Sequence, residues 1–131
     1  MHYILLLGRI LFSLIFILSA IMGHFSHETV AFAAQHGVPA ADILVPFSGV
    51  LALLGGISIF LGYKARYGAW LIVIFLIPSM YMMHRFWDLT DPYEMMMQRA
   101  MFMKNLSMLG AALMITYFGS GPMSIDKRKR A

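Results

Sequence analysis

The sequence predicts an all-α membrane protein, an antiparallel bundle of four transmembrane helices that forms a single domain over residues 1–131. Of its 131 residues, 60% are hydrophobic and only 12% are charged, whereas a soluble domain carries about 25% charged residues. Four apolar runs are each long enough to cross a bilayer, which takes about 20 residues as a helix. Together they fill most of the chain and leave no room for a separate catalytic domain.

The residue types exclude several classes of chemistry. Cysteine is absent, which rules out disulfides, cysteine-ligated zinc, iron–sulfur clusters and a thiolate nucleophile. A net charge of +4 would suggest a nucleic-acid partner for a soluble protein. Here four of the ten basic residues form the tail Lys127-Arg128-Lys129-Arg130, which is typical of a membrane-side anchor. The bilayer is therefore the expected partner, and nucleic acid is not.

The first apolar run covers about residues 3–22 and is interrupted only by Arg9. A signal peptide carries its positive charge before the apolar core, so this run is predicted to be a retained span. The second span covers about residues 43–61 and the third about residues 67–83. Short connections predict that consecutive spans pack antiparallel.

The fourth span covers about residues 101–118, but its helix is predicted to begin near residue 92. Asp91-Pro92-Tyr93-Glu94 offers an N-cap aspartate, a proline at the first helical position and a glutamate at the third, which together mark a helix start. Glycines at positions 119 and 121, followed by Pro122, end it.

Small residues recur at spacings of three and four on the second span, at Gly49, Ala52 and Gly56, with Gly55, Ser58 and Gly62 beside them. Faces of this kind let helix backbones approach closely in lipid. The second helix is therefore predicted to pack tightly on its neighbours.

Basic residues predict the orientation. The second connection carries Lys64 and Arg66 and the tail adds four more, whereas the first connection has no lysine or arginine. In the third connection Arg85 and Arg99 are offset by acidic residues. By the positive-inside rule, both termini are predicted to be cytoplasmic.

Ionisable and polar residues within the spans are the candidate functional residues, because each charge costs about 2.5–3.5 kcal/mol to insert. Two lines of side chains are predicted to face other helices rather than lipid. The first helix contributes Arg9, Ser13, Phe16, Ala20, His24 and His27, and the third contributes Trp70, Ile74, Tyr81, His84 and Asp88. On the fourth helix, Lys104 and Asn105 lie about a turn below the outer surface.

These residues predict a polar pocket with an aromatic rim near the outer face. Its members are His24, His27, Glu28, Tyr81, His84, Trp87, Lys104 and Asn105, with Arg9 deeper and nearer the opposite side. Two other interpretations stay open. Long basic side chains can instead extend to the nearest headgroups, and His84 and Trp87 occupy positions typical of an aromatic belt.

A metal centre is a weaker interpretation of the same residues. His24, His27 and Glu28, with His84 nearby, would be an acceptable ligand set for a transition metal, and two histidines could ligate haem iron. Neither spacing is specific, so no metal or haem is expected. The 13 methionines suit Cu(I), but many are adjacent in sequence, which favours packing.

Several segments together resemble a known family. They are Gly8-Arg9-Ile10-Leu11-Phe12-Ser13, Leu53-Leu54-Gly55-Gly56 with Leu61-Gly62, His84-Arg85-Phe86-Trp87-Asp88, Phe102-Met103-Lys104-Asn105-Leu106, and Gly119-Ser120-Gly121-Pro122 with Ser124-Ile125-Asp126. In order and spacing they resemble the DoxX family of small four-helix membrane proteins over nearly the whole chain. The resemblance implies a multi-pass protein of the bacterial inner membrane. The family is named after a subunit of a thiosulfate:quinone oxidoreductase, and many members carry oxidoreductase or quinol-oxidase-like labels.

Two positions depart from that pattern. Ala52 stands where members of the family often carry a glutamate, and Gly23 stands where they often carry a lysine, next to His24. A proton relay or headgroup site built on those side chains elsewhere in the family would have to differ here.

The sequence and the resemblance together favour a small subunit or accessory of a membrane redox system that binds a quinone-type carrier. No redox centre is visible in the chain, so electrons would come from a partner oxidoreductase or a bound cofactor. The alternatives are a non-catalytic anchor or assembly component for a partner protein, and a small-molecule or ion transporter with Arg9 and Lys104 along its path. The chain could also form a homo-oligomer.

Overall fold

The computed structural model describes the backbone of residues 1–130 and the side chains of residues 1–128. The charged groups of Lys129 and Arg130 in the predicted tail anchor therefore lie outside the described residues, as does Ala131. Within this range every regular element is helical. The helices are α1 His2–Ser19, α2 His27–Gln35, α3 Ala41–Leu61, α4 Ala65–Met83, α5 Pro92–Phe118 and α6 Ile125–Arg130, with a π-helical turn at Ala20–His24 and a 3-10 turn at Phe86–Asp88.

Four of these helices are long and apolar enough to cross a membrane: α1 with its π-helical turn, α3, α4 and α5. This confirms the predicted four-helix membrane bundle. The early start of the last helix is also confirmed, since α5 begins at Pro92 and the Asp91 carboxylate accepts a hydrogen bond from the Glu94 N–H at 3.3 Å.

Helix α2 was not predicted, because helical periodicity extends the line of residues on the first helix to His27. The chain instead leaves the helical conformation at Phe25 and Ser26. The Ser26 hydroxyl then accepts a hydrogen bond from the Thr29 N–H at 3.2 Å and caps the new helix. His27 and Glu28 are consequently exposed in the first turn of α2, away from the line of residues on α1.

Glycines on α3 fix its packing on α1. A Cβ at Gly49 would lie 2.5 Å from the Cβ of His24, and one at Gly56 would lie 2.8 Å from Ile17. Positions late in α1 thus meet positions early in α3, so the two helices run antiparallel. The predicted small-residue face is confirmed.

The other neighbouring spans are antiparallel as well. A Cβ at Gly55 of α3 would lie 2.8 Å from the Gly68 carbonyl oxygen of α4. The rings of Tyr81 on α4 and Phe102 on α5 are 5.9 Å apart. The spans therefore pack in chain order, with α5 attached mainly through α4.

The core lies where α1, α3 and α4 meet, and α5 adds little to it. Its buried residues are Phe16, Ala20, Ala52, Ile59, Ala69, Ile72, Val73, Leu76 and Ala112. In α5 only Asn105 and Ala112 are buried. Most of the surface of α5 is consequently left for lipid or for another protein.

The predicted inward line on α4 was wrong for Trp70, Ile74 and Tyr81, which are 50–55% exposed. Gly68 sets this rotation of α4, because a Cβ there would clash with the Ser58 side chain and lie 3.1 Å from the Gly55 carbonyl oxygen of α3, so the glycine face is the one that packs closely on α3. The buried face consists instead of Ala65, Gly68, Ala69, Ile72, Val73, Leu76 and Met80.

Candidate functional site

The two ends of the bundle differ in character. The terminal end carries the start of α1, the turn between α3 and α4, and the end of α5. The loop end carries α2 and the connection between α4 and α5.

The π-helical turn at the end of α1 positions His24. The His24 Nδ1 lies 3.1 Å from the Ser19 carbonyl oxygen five residues earlier, and its ring centroid lies 5.3 Å from that of Phe75 on α4. A carbonyl can only accept, so Nδ1 carries the hydrogen and Nε2 is the acceptor in the neutral ring. Isolated π-helical turns are frequent at functional sites.

His24 lines an apolar cavity of about 280 Å³ between α3 and α4, which α2 covers at the loop end. We refer to it as the α3–α4 cavity. Its walls include Val45 and Phe75, and its rim includes Phe47 and Ile74, which are 55% and 54% exposed. Because apolar side chains exposed on spanning helices face lipid, the cavity is accessible from within the bilayer.

A few polar groups reach this cavity. The Ser48 hydroxyl donates to the Val45 carbonyl at 2.7 Å, and the Thr29 hydroxyl is paired with that of Ser26. Ser79 also lines the cavity, and within the described chain its hydroxyl forms no hydrogen bond. Its neighbour Pro78 has no N–H, so the carbonyl four residues earlier lacks its usual helical partner.

A second, more polar groove of about 480 Å³ lies at the loop end. Arg85 crosses it, donating to the His36 carbonyl at 2.9 Å and lying 3.7 Å from the Asp88 carboxylate. Glu94 and Gln98 of α5 form its other side. We refer to it as the loop-end groove.

The cavity and the groove are neighbours, because Met82 and Met83 line both. Close by, the Nδ1 of His84 lies 2.8 Å from the Gln98 Oε1. Flexible thioether side chains can rearrange more easily than branched ones. They therefore form an adaptable partition between the apolar cavity and the polar groove.

The predicted aromatic rim exists as a separate cluster outside the cavity. The rings of Tyr81, Phe86, Trp87 and Phe102 pack with centroids 5.2–6.3 Å apart, edge to face in four of the five contacts and tilted between Tyr81 and Trp87. Tyr81 and Trp87 remain about half exposed. This placement agrees with the interpretation of Trp87 as part of an aromatic belt.

Lys104 and Asn105 lie on different faces of α5. The Lys104 side chain is exposed, and its Nζ lies 3.3 Å from the Met101 sulfur. Asn105 is only 6% exposed. Neither residue lines the α3–α4 cavity.

Arg9 is buried at the terminal end, far along α1 from His24. Its guanidinium donates hydrogen bonds to three carbonyl oxygens after α5: Ser120 at 2.7 Å, Pro122 at 3.3 Å and Met123 at 2.8 Å. The arginine therefore anchors the C-terminal segment to α1. The structure does not bring Arg9 together with the other predicted pocket residues.

The segment after α5 also caps α4. The Asp126 carboxylate accepts hydrogen bonds from the N–H groups of Lys64 at 2.8 Å and Ala65 at 3.1 Å, and the Asp126 N–H donates to the Gly62 carbonyl at 2.8 Å. Sequence reasoning noted Ser124-Ile125-Asp126 but assigned it no role. The glycine at position 62 was the available signal, since a Cβ there would clash with the Ser124 side chain.

The weak metal candidates stay apart. In the part of the chain that the structure describes, no group of three histidine, aspartate or glutamate side chains converges as metal ligands. His24 lies in the cavity, whereas His27 and Glu28 are exposed on α2 and His84 pairs with Gln98.

The predicted pocket is thus divided. His24 lies in the α3–α4 cavity, and His84 lies beside the loop-end groove. Tyr81 and Trp87 lie in the aromatic cluster, and Lys104 and Asn105 lie on α5. Ser79, which sequence reasoning missed, joins His24 in the cavity.

Comparison with known proteins agrees with this architecture. The DoxX family model matches residues 4–85, which cover nearly all of α1 and the whole of α2, α3 and α4. The chain belongs to the DoxX family. The inner membrane protein YphA of Escherichia coli (strain K12) is 29% identical over 126 residues, covering 95% of this chain and 89% of that protein.

A more distant similarity extends to a eukaryote. The ER-derived vesicles protein ERV29 of Saccharomyces cerevisiae (strain ATCC 204508 / S288c) is 26% identical over 84 residues, covering 64% of this chain but 27% of that protein. No solved structure matches significantly. The family match and the four apolar helices together identify this DoxX protein as a multi-pass membrane protein, with a core of α1, α3 and α4.

Within the DoxX pattern, the structure gives the two departures a location. Ala52 is fully buried in the core, where a glutamate would be surrounded by apolar side chains. Gly23 lies in the π-helical turn next to His24, where an added Cβ would first meet the Thr29 hydroxyl at 4.0 Å.

Proposed function

We propose that this DoxX protein binds a quinone-type, lipid-soluble carrier in the α3–α4 cavity as a small subunit or accessory of a membrane redox system. The observation that carries the proposal is an apolar cavity open to the bilayer and reached by His24 and Ser79. Its volume of about 280 Å³ lies just below the roughly 300–1,000 Å³ usual for small-molecule sites. It would therefore admit a single-ring headgroup and leave an isoprenoid tail in the lipid.

The residues present suit such a headgroup. The Ser79 hydroxyl can donate a hydrogen bond to a carbonyl oxygen of the oxidised ring. Nε2 of His24 can accept a hydrogen bond, and then a proton, from a hydroxyl of the reduced ring. Phe75, against which the histidine packs, supplies an aromatic wall.

A proton taken up by His24 needs an exit. The loop-end groove holds His36, Glu94 and Gln98 on the far side of Met82 and Met83. The route would pass between these two methionines to the polar groove. A quinone supplies two-electron redox chemistry, and the partner oxidoreductase supplies or removes the electrons.

The test is the quinone content of the purified protein. The protein is extracted from its native membrane in mild detergent, and bound quinone is measured by mass spectrometry of an organic-solvent extract. We expect close to one quinone per chain for the wild type and a loss of most of it in His24→Leu. The matched control is His27→Leu, which removes an exposed histidine three residues away and should leave the content unchanged.

Two results would contradict the proposal. One is a wild type that carries no more quinone than bulk lipid in the same detergent would bring along. The other is equal retention in His24→Leu and His27→Leu. Ser79→Ala provides a second variant, because it removes the donor without adding bulk to the cavity.

A second candidate function, a non-catalytic component that binds a partner membrane protein, is favoured by α5. Most of α5 is exposed, and its buried Asn105 forms no side-chain hydrogen bond within the described chain. Under this function Lys104→Leu and Asn105→Leu would lose the partner during purification and keep wild-type quinone content.

The transporter alternative is weaker, since Arg9 is bound by the C-terminal segment. Uptake by proteoliposomes that contain this chain alone would support it.

We also propose the inner membrane as the location, with both termini in the cytoplasm. Similarity to the inner membrane protein YphA supports this location. The basic residues Lys64, Arg66 and Lys127 at the terminal end support the orientation.

A further inference from the structure

A third concave site, at the terminal end, lies apart from the proposed carrier cavity. It is a groove of about 320 Å³ between the start of α4 and the segment that follows α5. Lys64, Arg66 and Lys127 line it together with Tyr67 and the Gly119 to Gly121 backbone. We refer to it as the basic groove.

The basic groove has an excess of positive charge. Asp126 is the one acidic residue among those that line it. Its two carboxylate oxygens accept hydrogen bonds from the N–H groups of Lys64 and Ala65 at 2.8 and 3.1 Å. The acidic group is therefore directed at the start of α4, whereas the three cationic side chains remain exposed.

Arg66 lies across the groove toward the end of α5. A Cβ at Gly119 would lie 3.2 Å from the Arg66 Nε and 3.8 Å from its Nη2. The absence of a side chain at position 119 therefore leaves the guanidinium next to the backbone. Its planar donors suit two oxygens of one phosphate at once.

The depth of the groove indicates which anions reach it. Helix α3 ends at Leu61, α4 begins at Ala65 and α5 ends at Phe118, so the groove lies where three spans leave the apolar core of the bilayer. Tyr67 and Phe118 line it and are 74% and 73% exposed. Exposed aromatic rings at the end of a span are typical of the headgroup level.

We propose that the basic groove binds the phosphodiester of an anionic phospholipid from the leaflet at the terminal end. Arg66 holds two phosphate oxygens, and Lys64 and Lys127 neutralise the remaining charge. Tyr67 and Phe118 pack against the glycerol and the first acyl carbons. The lipid is thereby attached at the junction of α4 with the segment that Arg9 and Asp126 hold in place.

The test compares phospholipids on the intact protein. The chain is purified in detergent, incubated with equal amounts of phosphatidylglycerol and phosphatidylcholine, and examined by native mass spectrometry. We expect wild-type protein to retain phosphatidylglycerol preferentially. The double variant Arg66→Gln/Lys127→Gln should lower that preference by about tenfold, given two lost cations near a charged lipid surface.

The matched control is Arg99→Gln/Lys104→Gln, which removes the same charge from exposed positions on α5. It should keep the wild-type preference. If the double variant does not fold, Lys127→Gln alone serves as the test, because Lys127 lies outside the spanning helices. We expect it to lower the preference for phosphatidylglycerol by an intermediate amount. An unchanged lipid preference in both groove variants, or an equal loss in the α5 control, would overturn the proposal.

A further arm distinguishes lipid from free phosphate. Inorganic phosphate is added at millimolar concentration, with sodium sulfate at equal ionic strength as the control. Displacement of phosphatidylglycerol by phosphate but not by sulfate would indicate a site for the free anion and would overturn the lipid assignment. Retention in both solutions supports the lipid. Because the basic groove and the α3–α4 cavity are at different ends, the quinone content of these variants should not change.

Discussion

The guanidinium of Arg9 donates a 2.7 Å hydrogen bond to the carbonyl of Ser120, 111 residues further along the chain. Two further bonds, to Pro122 and Met123, complete the connection between the first span and the C-terminal segment. A charge buried beside apolar spans is tolerated because these carbonyl oxygens surround it. Its position in the DoxX pattern therefore has a structural explanation.

We predict that Arg9→Met lowers the free energy of unfolding by at least about 3 kcal/mol, because a single hydrogen bond to a charged group contributes about 1.5–3 kcal/mol and three carbonyl oxygens lose their donor. Thermal unfolding in detergent, followed by circular dichroism, measures the change. Arg99→Met, at an exposed position on α5, is the control. Equal midpoints for the two variants would contradict the anchoring role.

Gly55 and Gly110 should respond oppositely to alanine. A Cβ at Gly55 would lie 2.8 Å from the Gly68 carbonyl oxygen and 2.9 Å from Ile72, whereas one at Gly110 meets no atom within 4 Å. Gly55→Ala should cost about 1–3 kcal/mol through overpacking. Gly110→Ala should be neutral or stabilising, since alanine favours helix. The same unfolding measurement decides this, and a stable Gly55→Ala would show that α3 and α4 approach less closely.

Asp126→Ala should weaken the start of α4. Its carboxylate accepts hydrogen bonds from the N–H groups of Lys64 and Ala65. Loss of a helix cap lowers the free energy of unfolding by about 1 kcal/mol. Hydrogen exchange at these two amides should accelerate. Asp126→Asn keeps one acceptor oxygen and should show a smaller change. Unaltered hydrogen exchange at these two amides in Asp126→Ala would mean that water replaces the carboxylate without weakening the start of α4.

The orientation can be measured directly because the chain has no cysteine. Thr90→Cys lies at the loop end and Lys127→Cys at the terminal end, both at exposed positions. A membrane-impermeant maleimide should label Thr90→Cys in intact cells, and Lys127→Cys only after the membrane is opened. The reverse pattern would place the termini outside.

Lys104→Leu should leave quinone content unchanged, because Lys104 is exposed on α5 and does not line the α3–α4 cavity. Mass spectrometry of the solvent extract measures this beside His24→Leu. A loss in Lys104→Leu matching that in His24→Leu would move the carrier site to α5.

Much of the fold was predictable because membrane spans are specified locally. Twenty apolar residues must form a helix in lipid to satisfy their backbone hydrogen bonds, so the four spans follow from composition alone. The start of α5 was equally local, as Asp91 and Pro92 act within one turn. The small-residue face of α3 also follows from spacing, since helical periodicity places Gly49 and Gly56 on one side.

The break after α1 depended on more than local pattern. Helical periodicity extended the line of side chains on the first helix from Ala20 and His24 to His27. Ser26 instead caps a new helix at that point. In α4, apolar residues surround the helix on every side, so periodicity could not show which face is buried. The contact of Gly68 with α3 decided it.

The amino-acid sequence by itself determined a four-span membrane bundle, its small-residue faces and its inventory of polar side chains, because lipid enforces helix formation residue by residue. Only the tertiary structure decided which polar groups meet. It paired Arg9 with carbonyl groups more than 110 residues away, placed His24 and Ser79 in one cavity and left Lys104 on an outer face. These outcomes depend on the rotation of each helix about its axis, which close packing at a few glycines sets.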